Sequence, residues 1–121
     1  YIGHSRLTKA LSSFKNISFD LEHGPFQLNP NMPKKGIGRL DYLKYKFGSR
    51  EAAQPLYSSM TSEALKEGLR FNLNNIQVTP NTSLSHILTK LAFSKKIGHQ
   101  VLSKIYNAYF LNGANIGDAD I

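Results

Sequence analysis

The first chemistry this chain lacks is thiol chemistry: its 121 residues include no cysteine. Disulfide frameworks, thiolate metal sites and cysteine nucleophiles are therefore excluded within these residues. His4, His23, His86 and His99 are far apart and have no His-x-x-x-His or comparable ligand spacing, so no metal site is expected. His86 lies two positions past Leu84 and one before Ile87, which fits an imidazole bonded locally on the flank of a helix. Glu63 and Glu67 are four apart with Lys66 and Arg70 nearby, the pattern of a solvated charged face rather than of an acid/base pair. Gly36-Ile37-Gly38 resembles the start of a phosphate loop, but no strand delivers it to a helix terminus, and it reads as loop flexibility. Ser58, Ser59, Ser62, Ser83, Ser85 and Ser94 have no oriented His–Asp partner. No residue of this chain is assigned a catalytic role.

The remaining chemistry is aromatic and cationic. Tyr42, Tyr45, Tyr57, Tyr106 and Tyr109, with Phe47, Phe71, Phe93 and Phe110, are spaced for helical core packing. A groove for apolar segments of a client protein is the sharper alternative, with Met60 as an adaptable neighbour. Lys plus Arg total 15 against 8 acidic residues, a net charge of +7. These cations are scattered, with no arginine-rich run or interleaved stacking motif, so nucleic acid is not an expected partner. No apolar run approaches the ~20 residues of a membrane span.

The elements that must position these residues are mostly helical. Leu7, Ala10, Leu11 and Phe14 form one face of an N-terminal helix, yet Tyr1 opens it with no cap and no acidic first turn. That uncapped start, without an initiator Met, predicts a piece of a longer protein. Lys15-Asn16 break the pattern, and Ile17, Phe19 and Leu21 alternate with polar residues as in a half-buried strand. Its partners are not visible; Leu73 to Val78 is the only other candidate, short and Asn-rich. A bundle of about four helices follows. The stripe Ile37, Leu40, Leu43 and Phe47 ends at Gly48, and Ser49 caps a helix reaching Gly68 with Pro55 inside it. Pro80-Asn81-Thr82-Ser83 opens a helix with Leu84, Ile87, Leu88, Leu91 and Ala92 on one face, which Gly98 ends or weakens. A last helix runs through Val101, Leu102, Ile105, Tyr106, Tyr109 and Phe110 to Asn112-Gly113.

Taken in order, several motifs resemble the DsbA-like thioredoxin-fold family of the FrnE type. Tyr1-Ile2-Gly3 with Arg6-Leu7 and Ala10-Leu11 looks like the segment that follows that family's Cys-Pro-Trp-Cys motif. Pro25-Phe26-Gln27-Leu28-Asn29-Pro30 matches its Pro-Phe-x-Leu-Asn-Pro, and Lys46-Phe47-Gly48, Glu67-Gly68-Leu69 and Phe71-Asn72 follow in order. Asn81-Thr82 with His86 is similar to its Asn-Thr-x-x-Ala-His, with Ser85 in place of Ala. Tyr109-Phe110 and Asn115-Ile116-Gly117-Asp118 resemble its closing Ala-Tyr-Phe and Asp-Ile-Gly-Asp, with Asn115 replacing the acid.

The resemblance implies an α/β parent, a thioredoxin fold with a helical insertion, of which this chain supplies a mostly α part. Residues 1–33 would be a partial thioredoxin-fold segment with the active-site helix and one strand, and residues 34–121 the helical insertion. It implies a thiol–disulfide oxidoreductase or isomerase acting on protein or small-molecule thiol/disulfide substrates, in a bacterial-type cytoplasm, with no cofactor and with a homodimer allowed. Tyr1, Ile2 and Gly3 would adjoin the redox motif, and Asn81 and Thr82 could face the substrate cleft, though plain helix capping is the simpler role for that pair. The runner-up is a glutathione-dependent isomerase or transferase of the 2-hydroxychromene-2-carboxylate isomerase or kappa type. A non-enzymatic peptide-binding helical module is a third reading.

Overall fold

The computed structural model describes residues 1–121. Helix α1 spans Ile2–Ser12 and, as its sequence predicts, has neither a side-chain cap nor an acidic first turn. None of its residues is buried. No helix or strand then forms before Ile37. The expected strand over Ile17–Leu21 is therefore absent: alternation supplies two faces, but ladder bonds need a neighbour, and none runs beside it. Ile17 and Phe19 stay exposed, with Phe19 edge-on to Phe14 at 5.7 Å between ring centroids.

The strand pair forms elsewhere. β1 (Ile37–Gly38) runs antiparallel to β2 (Val78–Thr79), with Ile37 opposite Thr79 and Gly38 opposite Val78. The Asn-rich candidate splits into a 3-10 turn, Leu73–Asn75, and β2. Gly36 is not a flexible loop residue. It is buried at φ +76°, and a Cβ there would lie 2.6 Å from the Thr79 carbonyl oxygen, so only glycine lets the two backbones meet.

β1 feeds directly into α2 (Arg39–Phe47), and α3 (Arg50–Lys66) follows. Gly48 separates them at φ +86°, and the Ser49 hydroxyl accepts the Ala52 N–H at 3.0 Å, a cap worth about 1 kcal/mol. Pro55 lies inside α3, where it removes a helical hydrogen bond. α4 (Ser83–Ser94) and α5 (Gly98–Phe110) pack along each other, as α2 packs on α3. Gly98 does not end α4; the break is made by Lys96 at φ +60°, and Gly98 opens α5. Five helices and one short ribbon make the chain mostly helical, and no helix is long and apolar enough to cross a membrane.

The core consists of Leu43, Ala53, Ala64, Leu73, Ile76, Ala92 and Leu102, with Met32 from the preceding loop. α4 buries Ala92 of its expected apolar face but turns the rest of that face outward. Its leucine–isoleucine stripe faces outward, with Leu84 46%, Ile87 64%, Leu88 49% and Leu91 55% exposed, while Ser85, Thr89 and Ala92 are buried. Hydrogen bonding decides this: Ser85 Oγ donates to the Ile116 carbonyl, and Thr89 Oγ1 donates to the Ser85 carbonyl at 2.7 Å. Small, satisfied side chains let α4 approach the 115–117 segment closely; bulky leucines on that face would hold it away.

Candidate functional site

The start of α1 is held by aromatic contacts. The Tyr1 ring stacks on Tyr106 at 5.0 Å, Phe110 at 5.5 Å and Phe71 at 5.9 Å between centroids, and Phe71 stacks on Phe110 at 4.8 Å. Its hydroxyl donates to Asn107 Oδ1 at 2.9 Å. Such pairs add about 0.5–1.5 kcal/mol each beyond area burial. α5 thus supplies Tyr106, Asn107 and Phe110 to one residue at the head of α1. The segment between α3 and the 3-10 turn is fixed to the same place, because the Asn72 N–H donates to the Phe110 carbonyl at 2.8 Å. Ile2 is half-buried, and Gly3 is exposed with open space around its Cα.

One turn further on, three histidines distant in sequence come together. His4 Nδ1 lies 3.2 Å from His23 Nε2, so one ring donates and the other accepts. His99, in the first turn of α5, has its centroid 6.2 Å from His4 and 5.9 Å from His23. Phe93 packs on both His23 and His99, at 5.5 and 5.1 Å. Burial, reinforced by the neighbouring imidazoles, holds His4 and His23 below the ordinary histidine pKa. His23 Nδ1 is buried without a hydrogen-bond partner. No group of three ligating residues has the arrangement of a metal site.

The far end of α1 is held by charge. Arg6 reaches Glu63 of α3 and Glu67 at its C-terminal cap, both at 2.7 Å, and Lys9 reaches Glu67 at 2.9 Å. Lys66 completes the group at Glu63. The hydrogen bonds from these cations keep both carboxyls below the usual carboxylate range. The expected solvated face is therefore a docking face, with Arg6 and Lys9 as partners in addition to Lys66, and without Arg70.

Behind the Tyr1 stack lies a cleft of about 440 Å³ between the α2–α3 and α4–α5 pairs, a size suited to a small ligand. Tyr106 and Phe110 belong to both, so the cleft backs directly onto the head of α1. Thr82 lines the cleft; Asn81 does not. Asn81 is a brace: Nδ2 donates to the Met32 carbonyl at 2.7 Å, and Oδ1 accepts the Ser83 N–H at 2.9 Å. It, rather than Thr82, caps the start of α4 with its side chain. Gly117 closes over it, since a Cβ at 117 would lie 2.5 Å from the Asn81 carbonyl oxygen. The sequence model of the family described as DSBA-like thioredoxin domain matches residues 1–121.

The chain belongs to the DsbA-like thioredoxin family. It is also similar to the uncharacterized protein YwbO of Bacillus subtilis (strain 168), at 25% identity over 121 residues, which is 100% of this chain and 55% of that protein. The chain thus spans 55% of the length of this relative.

Within this DsbA-like chain, the motifs noted in the sequence have structural work that their order alone did not reveal. Phe71 and Phe110 are the platform for Tyr1. Glu67 is the acceptor for Arg6 and Lys9. Gln27 Nε2 donates to Ser83 Oγ at 2.6 Å, tying the Pro-Phe-Gln-Leu-Asn-Pro stretch to the head of α4. Sequence reasoning missed the histidine cluster, because a ligand-spacing search looks within one element and these residues come from three. It also passed over Arg39, whose only sequence signal is its position between two glycine-bounded turns and a Tyr-rich helix.

Proposed function

We propose that this chain is the active-site helix and helical insertion of a FrnE-type thiol–disulfide oxidoreductase or isomerase. Residues 1–33 would belong to its thioredoxin-fold segment and 34–121 to the insertion. The observation that carries the reading is the head of α1, which has no side-chain cap of its own and is held at Tyr1 by three rings of the helical part. A cysteine immediately before Tyr1 would meet unpaired first-turn N–H groups and the positive end of the helix dipole, which favour thiolate over thiol. That thiolate would attack one sulfur of a substrate disulfide, form a mixed disulfide and release the other sulfur as thiolate. A second cysteine of the motif would then attack the mixed disulfide, closing the motif's own disulfide and releasing the remaining substrate sulfur as thiolate. Tyr1, Ile2 and Gly3 orient the helix that does this, Thr82 faces the adjoining cleft, and Asn81 braces its rim. The chain alone, having no thiol, is redox-inert.

The outward stripe of α4 supports the same reading, since an apolar face of this kind is one that further chain would cover; a second copy of the chain is the alternative cover. The test is the protein carrying its native residues upstream of Tyr1. Expected there are Cys-x-x-Cys and a nucleophilic thiol that titrates below the ~8.5 of free cysteine by thiolate absorbance. A serine in that place, with glutathione raising the melting temperature, would assign the chain to the glutathione-dependent isomerase or transferase branch. Unrelated sequence there overturns both readings.

A further inference from the structure

We infer that the cleft beside the Tyr1 stack is a binding site for an aliphatic carboxylate, with Arg39 as the group that receives the anion. Arg39 is half-buried at the start of α2, and its guanidinium is met only by neutral partners. Nε donates to the Tyr57 hydroxyl at 2.8 Å, Nη2 donates to the same hydroxyl, and Nη1 donates to Thr79 Oγ1 at 3.1 Å. The rings of Tyr42 and Tyr57 lie 5.6 and 5.4 Å from the guanidinium carbon. None of the ion pairs in the molecule involves Arg39. Arg39 also lines a neighbouring cleft together with Asp41, and the two side chains form no ion pair.

A cation withdrawn from water without an anion is costly, and the positive end of the α2 dipole adds to that cost. The lining offers no relief of its own: it includes Arg39 and Lys46 and not one Asp or Glu. An arriving carboxylate would find one unused N–H on each of Nη1 and Nη2, a pair that can bond both of its oxygens. Tyr57 and Thr79 accept from Arg39, which leaves their own hydroxyl protons free to donate to the same anion. Beyond this polar end the walls are apolar, with Leu56, Met60, Ile105 and Ile116 among them. The shape is therefore that of a chain with one charged end, and its source is either a free aliphatic acid or the C-terminus of an apolar peptide.

The site does not depend on the redox reading, because binding is read on this chain, which has no thiol. Calorimetric titration with octanoate, 1-octanol and octylamine varies only the head group and needs no substitution. Octanoate should bind at least about tenfold more tightly than octanol, and octylamine most weakly. Arg39→Gln should erase the preference for octanoate over octanol, while Lys46→Gln should only reduce it; circular dichroism identifies any variant that fails to fold. A Leu-terminated pentapeptide is compared as free acid and as amide. Preference for the peptide acid over octanoate assigns the source to peptide C-termini, and the reverse assigns it to free acids; either supports the site. Equal binding of octanoate and octanol, tighter binding of octylamine, or no binding of either acid overturns it.

Discussion

Residues 1–33 and residues 34–121 hold their shape by different means. In the second region a core exists: Leu43 is 2% exposed, Ala53 1% and Ala64 0%. In the first region only Met32 is buried, and α1 buries nothing. Within it, α1 is fastened by three separate handles instead: the Tyr1 stack, the His4–His23–His99 cluster, and the Arg6/Lys9 bridges to the end of α3 and Glu67 just beyond it. A core is cooperative, since each side chain rests on several others, so damage spreads. Handles are local, and each can be released while the rest remain. For a helix that would sit beneath a reactive thiol, local fastening allows its position to be adjusted without unfolding the body that holds it.

The sharpest way to break this contrast is to damage each region separately. Leu43→Ala should destabilise the whole chain by about 3 kcal/mol, seen as one cooperative loss in urea unfolding. Loss confined to α2 would mean that the core is not shared. Tyr1→Ala should cost less, about 2 kcal/mol, through the lost stacking and the lost bond to Asn107. Hydrogen exchange should show α1 amides losing protection while those of α4 and α5 keep theirs. If protection falls equally in all helices, the handle picture is wrong.

The histidine cluster should give the smallest effect and the clearest sign. His4 and His23 have folded pKa values below the unfolded one because burial, and then the neighbouring imidazoles, disfavour the charged ring. The unfolded chain therefore takes up protons first as pH falls. The cluster's contribution is intact above about 6.5 and is lost as pH drops through that value toward the folded pKa. Melting temperature should decline as pH falls below about 6.5, and His23→Gln should flatten the decline. An unchanged slope in that variant would assign the pH dependence to other groups.

Much of the fold was legible because helix signals are local. The glycine stop at Gly48 and the Ser49 cap act within a few residues, and α2 and α3 follow them, whereas the break expected at Gly98 falls at Lys96. The uncapped head of α1 was legible for the same reason. The ribbon was not, since β1 and β2 are two residues each and owe their pairing to the close approach at Gly36 rather than to any alternation. Of the residues singled out in the sequence, Tyr1 heads α1 and Thr82 lines the cleft. Asn81 does not line the cleft; it braces the rim through the Met32 carbonyl.

By itself the sequence determined where helices lie, that no thiol chemistry occurs within these residues, and that Tyr1 heads a helix without a cap of its own. Periodicity and capping are set by neighbours three or four positions away, so no tertiary information is needed for them. Only the tertiary structure decided which face of each helix turns inward. It set Ser85, Thr89 and Ala92 against the interior and Leu84, Ile87, Leu88 and Leu91 outside. It also gathered His4, His23 and His99, and left Arg39 in an apolar cleft without an anion. Burial and charge pairing are properties of a shared space, and residues far apart in the chain acquire them only when the chain closes on itself.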